Sequence, residues 1–249
     1  PAAVKKSALF KIASGEAGII VGTHALLADH LQFVDLGLVV VDEQHRFGVE
    51  QRAVLTDRAH ARPHVLVLTA TPIPRSVAMT VFGDLEVSTL AELPQGRADV
   101  TTTVVDARRR PAWVDRAWER VREEVAQGRQ VFVVAPRIGT TAKEGEGLGV
   151  LQLAEQLRSG PLAGVRLGVL HGQLPAEEKE AVMGSFASGD LDVLVATTIV
   201  EVGVDVPNAS MMVVWDADRF GISQLHQLRG RIGRGGLPGG CLLVSAAEP

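Results

Sequence analysis

The stretch Leu36-Gly37-Leu38-Val39-Val40-Val41-Asp42-Glu43-Gln44-His45 decides the fold class, because a continuously apolar run passes directly into acidic and polar residues. A run without polar alternation suits a β-strand that helices cover on both faces, as in a mainly parallel sheet. The adjacent carboxylates Asp42 and Glu43 then stand at the carboxyl end of the strand, where ligands bind in open α/β sheets. One carboxylate there can hold a magnesium ion while the next accepts a proton from an attacking water. The alternative is a buried strand that ends in solvated polar residues.

Apolar runs of strand length recur along the chain, and together they predict an α/β protein. They occupy residues 18–21, 36–41, 65–69, 101–105, 130–135, 165–170, 192–197, 211–215 and 241–244. Helical spacing lies between them, most clearly at 111–127 and 175–186. The 111–127 pattern places Trp113, Trp118 and Val121 on one apolar stripe and Glu124 mostly opposite it.

The length of 249 residues predicts two domains. Pro94 and Gly96 lie in a stretch that has neither the helical nor the strand period. We interpret residues 94–98 as a linker between a first domain, 1–93, and a second domain, 99–249.

Composition excludes several classes of function. The 25 basic and 29 acidic residues give a net charge of −4, which excludes binding to nucleic acid by bulk charge alone, so any such surface must be local. The single cysteine, Cys241, excludes an intrachain disulfide and a multi-thiolate zinc site. No apolar run approaches the ~18–20 residues that span a bilayer. We therefore expect an intracellular protein without a membrane partner.

Three further segments place polar groups after apolar runs. Residues 69–75, Thr-Ala-Thr-Pro-Ile-Pro-Arg, present two hydroxyls at a strand end. Taken by itself, this segment indicates only a turn. Residues 197–205, Thr-Thr-Ile-Val-Glu-Val-Gly-Val-Asp, do the same, the alternative being a strand followed by a short helix and a turn. Residues 224–235, Gln-Leu-His-Gln-Leu-Arg-Gly-Arg-Ile-Gly-Arg-Gly, combine arginines with glycines, the alternative being a solvated basic helix end.

Taken in order, the acidic pair and these three segments resemble motifs II, III, V and VI of the superfamily 2 helicases, and the resemblance covers nearly the whole chain. Residues 22–26, 41–48, 69–75 and 224–235 resemble the RecG branch, the branched-DNA helicases. Residues 92–97 and 201–210 favour RecG over the related transcription-repair coupling translocases, which share most of the other motifs. The resemblance implies two RecA-like lobes with mainly parallel sheets flanked by helices, and ATP in the cleft between the lobes.

The resemblance also implies roles for individual residues. Asp42 would hold Mg²⁺ and Glu43 would activate the attacking water. Arg231 and Arg234 would reach across the cleft as arginine fingers. The other positions implied at the nucleotide are Gln44, His45, Gly203, Asp205 and Gln227, and those implied in coupling the lobes are Thr69 and Thr71. The positions implied at DNA phosphates are Thr23, His24, His171, Gly172, Thr197 and Thr198. The alternative for His24 and His171 is that they are loop residues whose hydrogen bonds are satisfied within the chain.

The resemblance predicts the catalytic-core portion of an ATP-dependent DNA helicase or translocase that acts on replication forks and four-way junctions in repair and recombination. Its predicted location is the bacterial cytoplasm, in association with the nucleoid. The alternatives are a fragment of a transcription-repair coupling translocase and a nucleic-acid-binding module without hydrolysis.

The sequence departs from the helicase pattern at its start. No lysine follows a glycine, so the Gly-Lys-Ser or Gly-Lys-Thr of a Walker A motif does not occur in it. Because the chain opens at Pro1, we expect a first lobe truncated at its N-terminal side. The Walker A region and the wedge domain would then lie upstream in the same parent chain. We expect the isolated chain neither to bind ATP tightly nor to hydrolyse it.

Overall fold

The computed structural model describes residues 2–27, 31–42, 63–69, 86–90, 98–139, 149–198 and 205–247. It divides the chain into two compact units, Pro1–Leu90 and Ala91–Pro249. The predicted linker at 94–98 lies outside the described residues, apart from Ala98.

The described part of the first unit contains one helix and a two-stranded sheet. Helix α1 is Ala2–Ala13, and strands β1, Leu38–Val41, and β2, His64–Val67, pair in parallel with Val41 opposite Val67. The strands predicted at 36–41 and 65–69 are thus present in shortened form. The strand predicted at 18–21 is wrong, since these residues form no strand and the side chains of Ile19 and Val21 are 88% and 90% exposed. An apolar run becomes a strand only where a neighbouring strand satisfies its backbone groups.

The second unit is built on a six-stranded sheet in which every neighbouring pair is parallel. Its strands are β3 (Val100–Asp106), β4 (Gln130–Val134), β5 (Leu167–Leu170), β6 (Val193–Ala196), β7 (Ala209–Val214) and β8 (Gly239–Ser245), in the order β3-β8-β7-β4-β6-β5. Parallel pairing brings all strand ends to one side, here called the carboxyl edge, and all strand starts to the other, the amino edge.

Four helices supply crossovers between these strands and cover both faces of the sheet. They are α2 (Pro111–Ala126), α3 (Val150–Ser159), α4 (Ala176–Ala187) and α5 (Ile222–Arg229). The helices predicted at 111–127 and 175–186 correspond to α2 and α4. The predicted fold class, mainly parallel sheets flanked by helices, is confirmed.

Two apolar cores, one on each face, explain why the central strands read as continuously apolar. Val131 and Val133 of β4 lie in the core that also holds residues of α2 and α3. Phe132 and Val134 of the same strand lie in the opposite core, where the rings of Phe132 and Phe186 of α4 are 4.9 Å apart. Successive side chains of a strand point to opposite faces, so a strand buried on both faces needs apolar residues at every position.

Helix α2 differs from its predicted face at two positions. Trp118 and Val121 are buried as expected, but Trp113 is 43% exposed. Glu124, predicted on the solvent side, is buried because its carboxylate accepts hydrogen bonds from Ser210 Oγ at 2.6 Å and from the Arg129 guanidinium at 3.1 Å. Sequence periodicity assigns a charged residue to solvent, whereas a buried carboxylate is tolerated where it is paired.

Candidate functional site

In the first unit, two predicted site residues lie at the carboxyl ends of neighbouring strands. Asp42 follows β1 directly and Thr69 follows β2 by two positions. The amide of Leu68 donates to the carbonyl of Val41 at 2.8 Å, so the pairing of the two chain segments continues to the edge. Both Asp42 and Thr69 are exposed. An exposed carboxylate and a hydroxyl therefore share one sheet edge, the usual ligand side of a parallel sheet.

Thr23 begins the short 3₁₀ helix His24–Leu27. Its hydroxyl accepts a hydrogen bond from the amide of Ala25 at 3.4 Å, and its carbonyl accepts one from the amide of Leu26 at 3.0 Å. The exposed Thr23 side chain thus caps its own turn, which is a role that the sequence analysis did not assign.

In the second unit, the four predicted DNA-contacting residues lie together at the carboxyl edge. His171 and Gly172 follow β5, and Thr197 and Thr198 follow the neighbouring β6. The amide of Thr197 donates to the carbonyl of Leu170 at 3.2 Å, which holds the two strand ends side by side. His171 and Thr197 are only 9% and 8% exposed. The Nδ1 atom of His171 is buried and has no hydrogen-bond partner in the described part of the chain.

The predicted arginine fingers lie on the opposite side of the same sheet. Arg231 and Arg234 belong to a turn that follows α5 and precedes β8, so this turn, residues 230–235, lies at the amino edge. We call it the arginine turn. The Arg234 guanidinium donates to Asp205 Oδ1 at 3.4 Å, and Asp205 lies before β7 at the same edge. Gln227, on α5, is half-buried. Arg234 and Asp205 are therefore brought together, as their shared assignment to the nucleotide requires.

Two glycines fix the arginine turn against neighbouring backbone. Gly233 has φ +75°, and a Cβ there would lie 2.9 Å from Val100 Cγ2 and 3.1 Å from the carbonyl oxygen of Ala98. The Gly233 carbonyl also accepts a hydrogen bond from the amide of Ala98 at 3.0 Å. At Gly235 a Cβ would overlap the carbonyl group of Pro207. Glycine is required at both positions, since any side chain would push the turn and its arginines away from the sheet.

The predicted site of the second unit is thus two clusters separated by the length of the strands. Strand β7 contains six residues, which at about 3.3 Å per residue gives roughly 17 Å between the two edges. The histidine, the glycine and the hydroxyls occupy one edge, and the guanidiniums with Asp205 occupy the other. One small ligand cannot contact both clusters, so each edge must have its own ligand.

Several predicted residues lie outside the described part of the chain. They are Glu43, Gln44, His45, Thr71 and Gly203, the last together with the whole segment 199–204. Their assignments stay predictions.

One further polar residue at the carboxyl edge, Asp216, follows β7 and was not predicted from the sequence. Its φ is 51°, a value that residues other than glycine rarely adopt, and its buried Oδ2 atom has no hydrogen-bond partner among the residues that the structure describes. Burial raises the pKa of the Asp216 carboxyl, against the opposing charges of Arg219 at 3.9 Å and Arg137. Left-handed backbone is more frequent for Asp than for most residues, but the local sequence Trp-Asp-Ala-Asp carries no signal of it.

A magnesium site would have to rely on few protein ligands. Among the described residues no three His, Cys, Asp or Glu side chains cluster so as to hold a metal ion. Magnesium keeps several waters and is often bound by one or two carboxylates together with substrate phosphates. The exposed carboxylate of Asp42 fits that kind of site.

In the part of the chain that the structure describes, no helix is long and apolar enough to cross a membrane.

Comparisons with known proteins agree on one family. Residues 116–236 match the helicase conserved C-terminal domain, and residues 3–80 match the DEAD/DEAH box helicase family. The protein named ATP-dependent DNA helicase RecG of Mycobacterium leprae is 58% identical over 99% of this chain, and that of Synechocystis is 49% identical over 96%. The chain covers 34% and 28% of these relatives, about a third of their length.

Solved structures give the same result. A structure of RecG bound to a three-way DNA junction matches 98% of this chain and 31% of that chain with 40% identity and a TM-score of 0.70. The helicase Lhr of Mycobacterium smegmatis, at 20% identity and a TM-score of 0.58 over 84% of this chain and 28% of that one, shares the fold. The sequence, the parallel sheet and these relatives lead to one conclusion: the chain belongs to the RecG family of superfamily 2 helicases, of whose members it spans about a third.

Proposed function

We propose that this chain forms the motor core of an ATP-dependent DNA helicase or translocase that acts on branched DNA, in which the two edges of the second sheet serve different ligands. The observation that carries the proposal is the separation of the arginine turn from the edge that holds His171 and Thr197. A motor must bind nucleotide and nucleic acid at once, so it needs two such surfaces on a rigid support.

The amino edge of the second unit suits the nucleotide. Arg231 and Arg234 provide planar, permanently charged guanidiniums that can stabilise charge on phosphoryl oxygens. Asp42 of the first unit is the proposed magnesium ligand, and Glu43 is the proposed acceptor of a proton from water. ATP, when bound, supplies the phosphoanhydride bond whose cleavage drives the motor. Asp205, Gln227, Gly203, Gln44 and His45 would line the same nucleotide, and Thr69 and Thr71 would couple the lobes.

The carboxyl edge of the second unit suits nucleic-acid phosphates. A buried polar atom without a partner costs about 1–3 kcal/mol, so the Nδ1 atom of His171 implies a partner beyond those that the described part of the chain supplies. Among the described residues, no atom lies within 4 Å of the position that a Cβ would take at Gly172, which leaves room for a phosphate to approach the backbone. Thr197, Thr198, Thr23 and His24 would add hydroxyl and backbone contacts. Phosphate contacts are independent of base sequence, as a motor requires.

DNA binding by the 249-residue chain tests the carboxyl edge. We expect fluorescence anisotropy at fixed salt to show binding to duplex DNA; the salt is fixed because it strongly affects affinity for phosphates. Thr197→Val should weaken binding, and Thr101→Val, at an exposed position of β3, should serve as the threonine control outside this edge. The preference for a fork is a prediction for the parent chain, in which equal affinity for fork and duplex would contradict it and favour the transcription-repair translocase.

Hydrolysis is tested in a chimera in which this chain replaces the matching residues of the Mycobacterium leprae RecG, a relative 58% identical to it. The chimera should hydrolyse ATP in the presence of fork DNA. Glu43→Gln should abolish turnover while nucleotide and DNA affinity persist, because it removes the proton acceptor and leaves the Asp42 carboxylate in place. A chimera that binds DNA without any turnover would indicate a binding module. Near-normal turnover in the variant would show that Glu43 is not the base.

A further inference from the structure

A second basic surface lies at the carboxyl edge of the second unit, four strands away from Thr197 in the sheet order. Arg108, Arg109 and Arg110 are consecutive, exposed, and join the end of β3 to the start of α2. We call these three residues the arginine loop. Between residues 106 and 116 the sequence holds four arginines and two aspartates, in a chain whose overall charge is −4. The arginine loop is therefore locally positive in a chain of negative net charge, and a nucleic-acid surface on this chain requires such a local positive charge.

The arginine loop is held in a defined conformation. Asp106 Oδ1 accepts hydrogen bonds from the amides of Arg108 at 3.2 Å and Arg109 at 2.9 Å. Its other oxygen, Oδ2, lies 3.8 Å from Nε of the exposed Arg109 guanidinium, an ion pair that fixes the direction of this side chain while most of it stays in solvent. The guanidinium carbon of Arg110 lies 4.2 Å from the centre of the partly exposed ring of Trp113. A guanidinium that stacks on an aromatic ring keeps its N–H groups directed outward in its own plane, which suits contact with phosphate oxygens.

The position of the loop relates it to the DNA surface proposed above. Strand β3 is four places from β6 in the sheet order, and neighbouring strands are about 4.8 Å apart, so the loop lies roughly 19 Å from Thr197 along the same edge. That distance equals about six base-pair steps of 3.4 Å along the duplex axis, roughly half a turn, so the loop would meet the complementary strand across a groove. A duplex that runs along the carboxyl edge would reach both places.

We propose that Arg108, Arg109 and Arg110 form a second contact with the phosphate backbone of duplex DNA, about six steps from the contact at His171 and Thr197. The contact extends the footprint of the second unit across the whole sheet. It rests on the proposed function only in naming DNA as the anion. An acidic protein segment is the competing ligand, and the experiment below distinguishes it.

The salt dependence of duplex binding by the 249-residue chain tests this inference. Each phosphate contact contributes about 0.9 to the slope of log affinity against log salt concentration, so Arg108→Gln/Arg109→Gln/Arg110→Gln should reduce the slope by about 2–3 for a labelled 30-base-pair duplex. Arg122→Gln/Arg158→Gln/Arg166→Gln is the control, because it removes the same charge from exposed arginines toward the amino edge, which contact the Pro161 carbonyl, the Leu167 carbonyl and Asp192. The control should keep the slope of the parent chain, and circular dichroism should show both triple variants folded.

The outcomes separate this inference from the proposed function. Loss of slope in the loop variant alone supports the contact. An unchanged slope in the loop variant, with Thr197→Val still weakening binding, overturns the contact and leaves the proposed function standing. Absence of duplex binding by the parent chain overturns both. Polyglutamate is the probe for an acidic protein segment. If it displaces duplex from the parent chain but not from the loop variant, and the two chains have the same salt slope, the ligand of the arginine loop is an acidic protein segment and not DNA.

Discussion

Replacement of Gly233 by alanine should destabilise the second unit more than a left-handed backbone alone explains. At φ +75° an L-residue costs about 1–2 kcal/mol. The added Cβ would also lie 2.9 Å from Val100 Cγ2 and 3.1 Å from the Ala98 carbonyl oxygen, and overpacking of this kind costs about 1–3 kcal/mol more. The expected loss in the free energy of unfolding is therefore about 2–5 kcal/mol.

Gly128 provides the matched control for this substitution. Its φ is also +75°, but no atom of the described residues lies within 4 Å of the position that its Cβ would take. Gly128→Ala should therefore cost only the backbone penalty of about 1–2 kcal/mol. Urea denaturation followed by tryptophan fluorescence is the assay, since all three tryptophans lie in the second unit. If Gly233→Ala loses no more stability than Gly128→Ala, the close contact of the arginine turn with Ala98 and Val100 is refuted.

Three substitutions and one chemical treatment probe buried polar groups. Asp216→Asn should raise the Tm at neutral pH, because the raised pKa of Asp216 means that its charged form destabilises the folded unit. The gain in Tm should shrink as the pH falls through that pKa and vanish below the ordinary pKa of an aspartate. A gain that grows as the pH falls would contradict a raised pKa. Burial raises the pKa of Cys241 to about 11, so Ellman's reagent at pH 8 should modify it only at the rate of unfolding, and rapid modification of the folded chain would show the thiol accessible. Glu124→Gln should cost about 1.5–3 kcal/mol in urea denaturation, because it removes the charge that the partly buried Arg129 pairs with. Ser210→Ala removes one donor to the same carboxylate and should cost only about 1 kcal/mol. Equal losses in the two variants would contradict a paired buried charge.

The sequence predicts the parallel strands of the second unit well, because burial on both faces demands apolar residues at every position. In β4 all five residues are buried, and a segment of that kind has few alternatives. The same reasoning fails at 18–21, where the residues are as apolar but make no strand. The apolar content of a segment indicates that its side chains will be buried. Whether the segment pairs as a strand depends on a partner segment, which the apolar residues themselves do not specify.

The sequence groups the candidate site residues by motif, but it does not place them on the sheet. Whether a motif lies before or after a strand decides the edge, and this separates Arg234 from Thr197. Asp216 and Glu124 could not be predicted, because their burial depends on contacts with Arg219, Arg129 and Ser210 that are distant along the chain or set by backbone geometry. Local pattern carries no information about such pairs.

The most direct test of the account is the effect of Arg231→Ala and Arg234→Ala on ATP turnover in the Mycobacterium leprae chimera with saturating fork DNA. An arginine finger contributes roughly 10³–10⁵ in rate, or about 4–7 kcal/mol. Each variant should therefore lower kcat by orders of magnitude while the Kd for nucleotide changes little, and lysine should not restore the rate because it lacks the planar fork of donors. Arg166→Gln, which removes a charge paired with Asp192, should leave kcat unchanged. If both alanine variants keep turnover within about threefold of the parent chimera, a difference of only ~0.7 kcal/mol, the arginine turn does not serve the nucleotide, and the assignment of the amino edge is wrong.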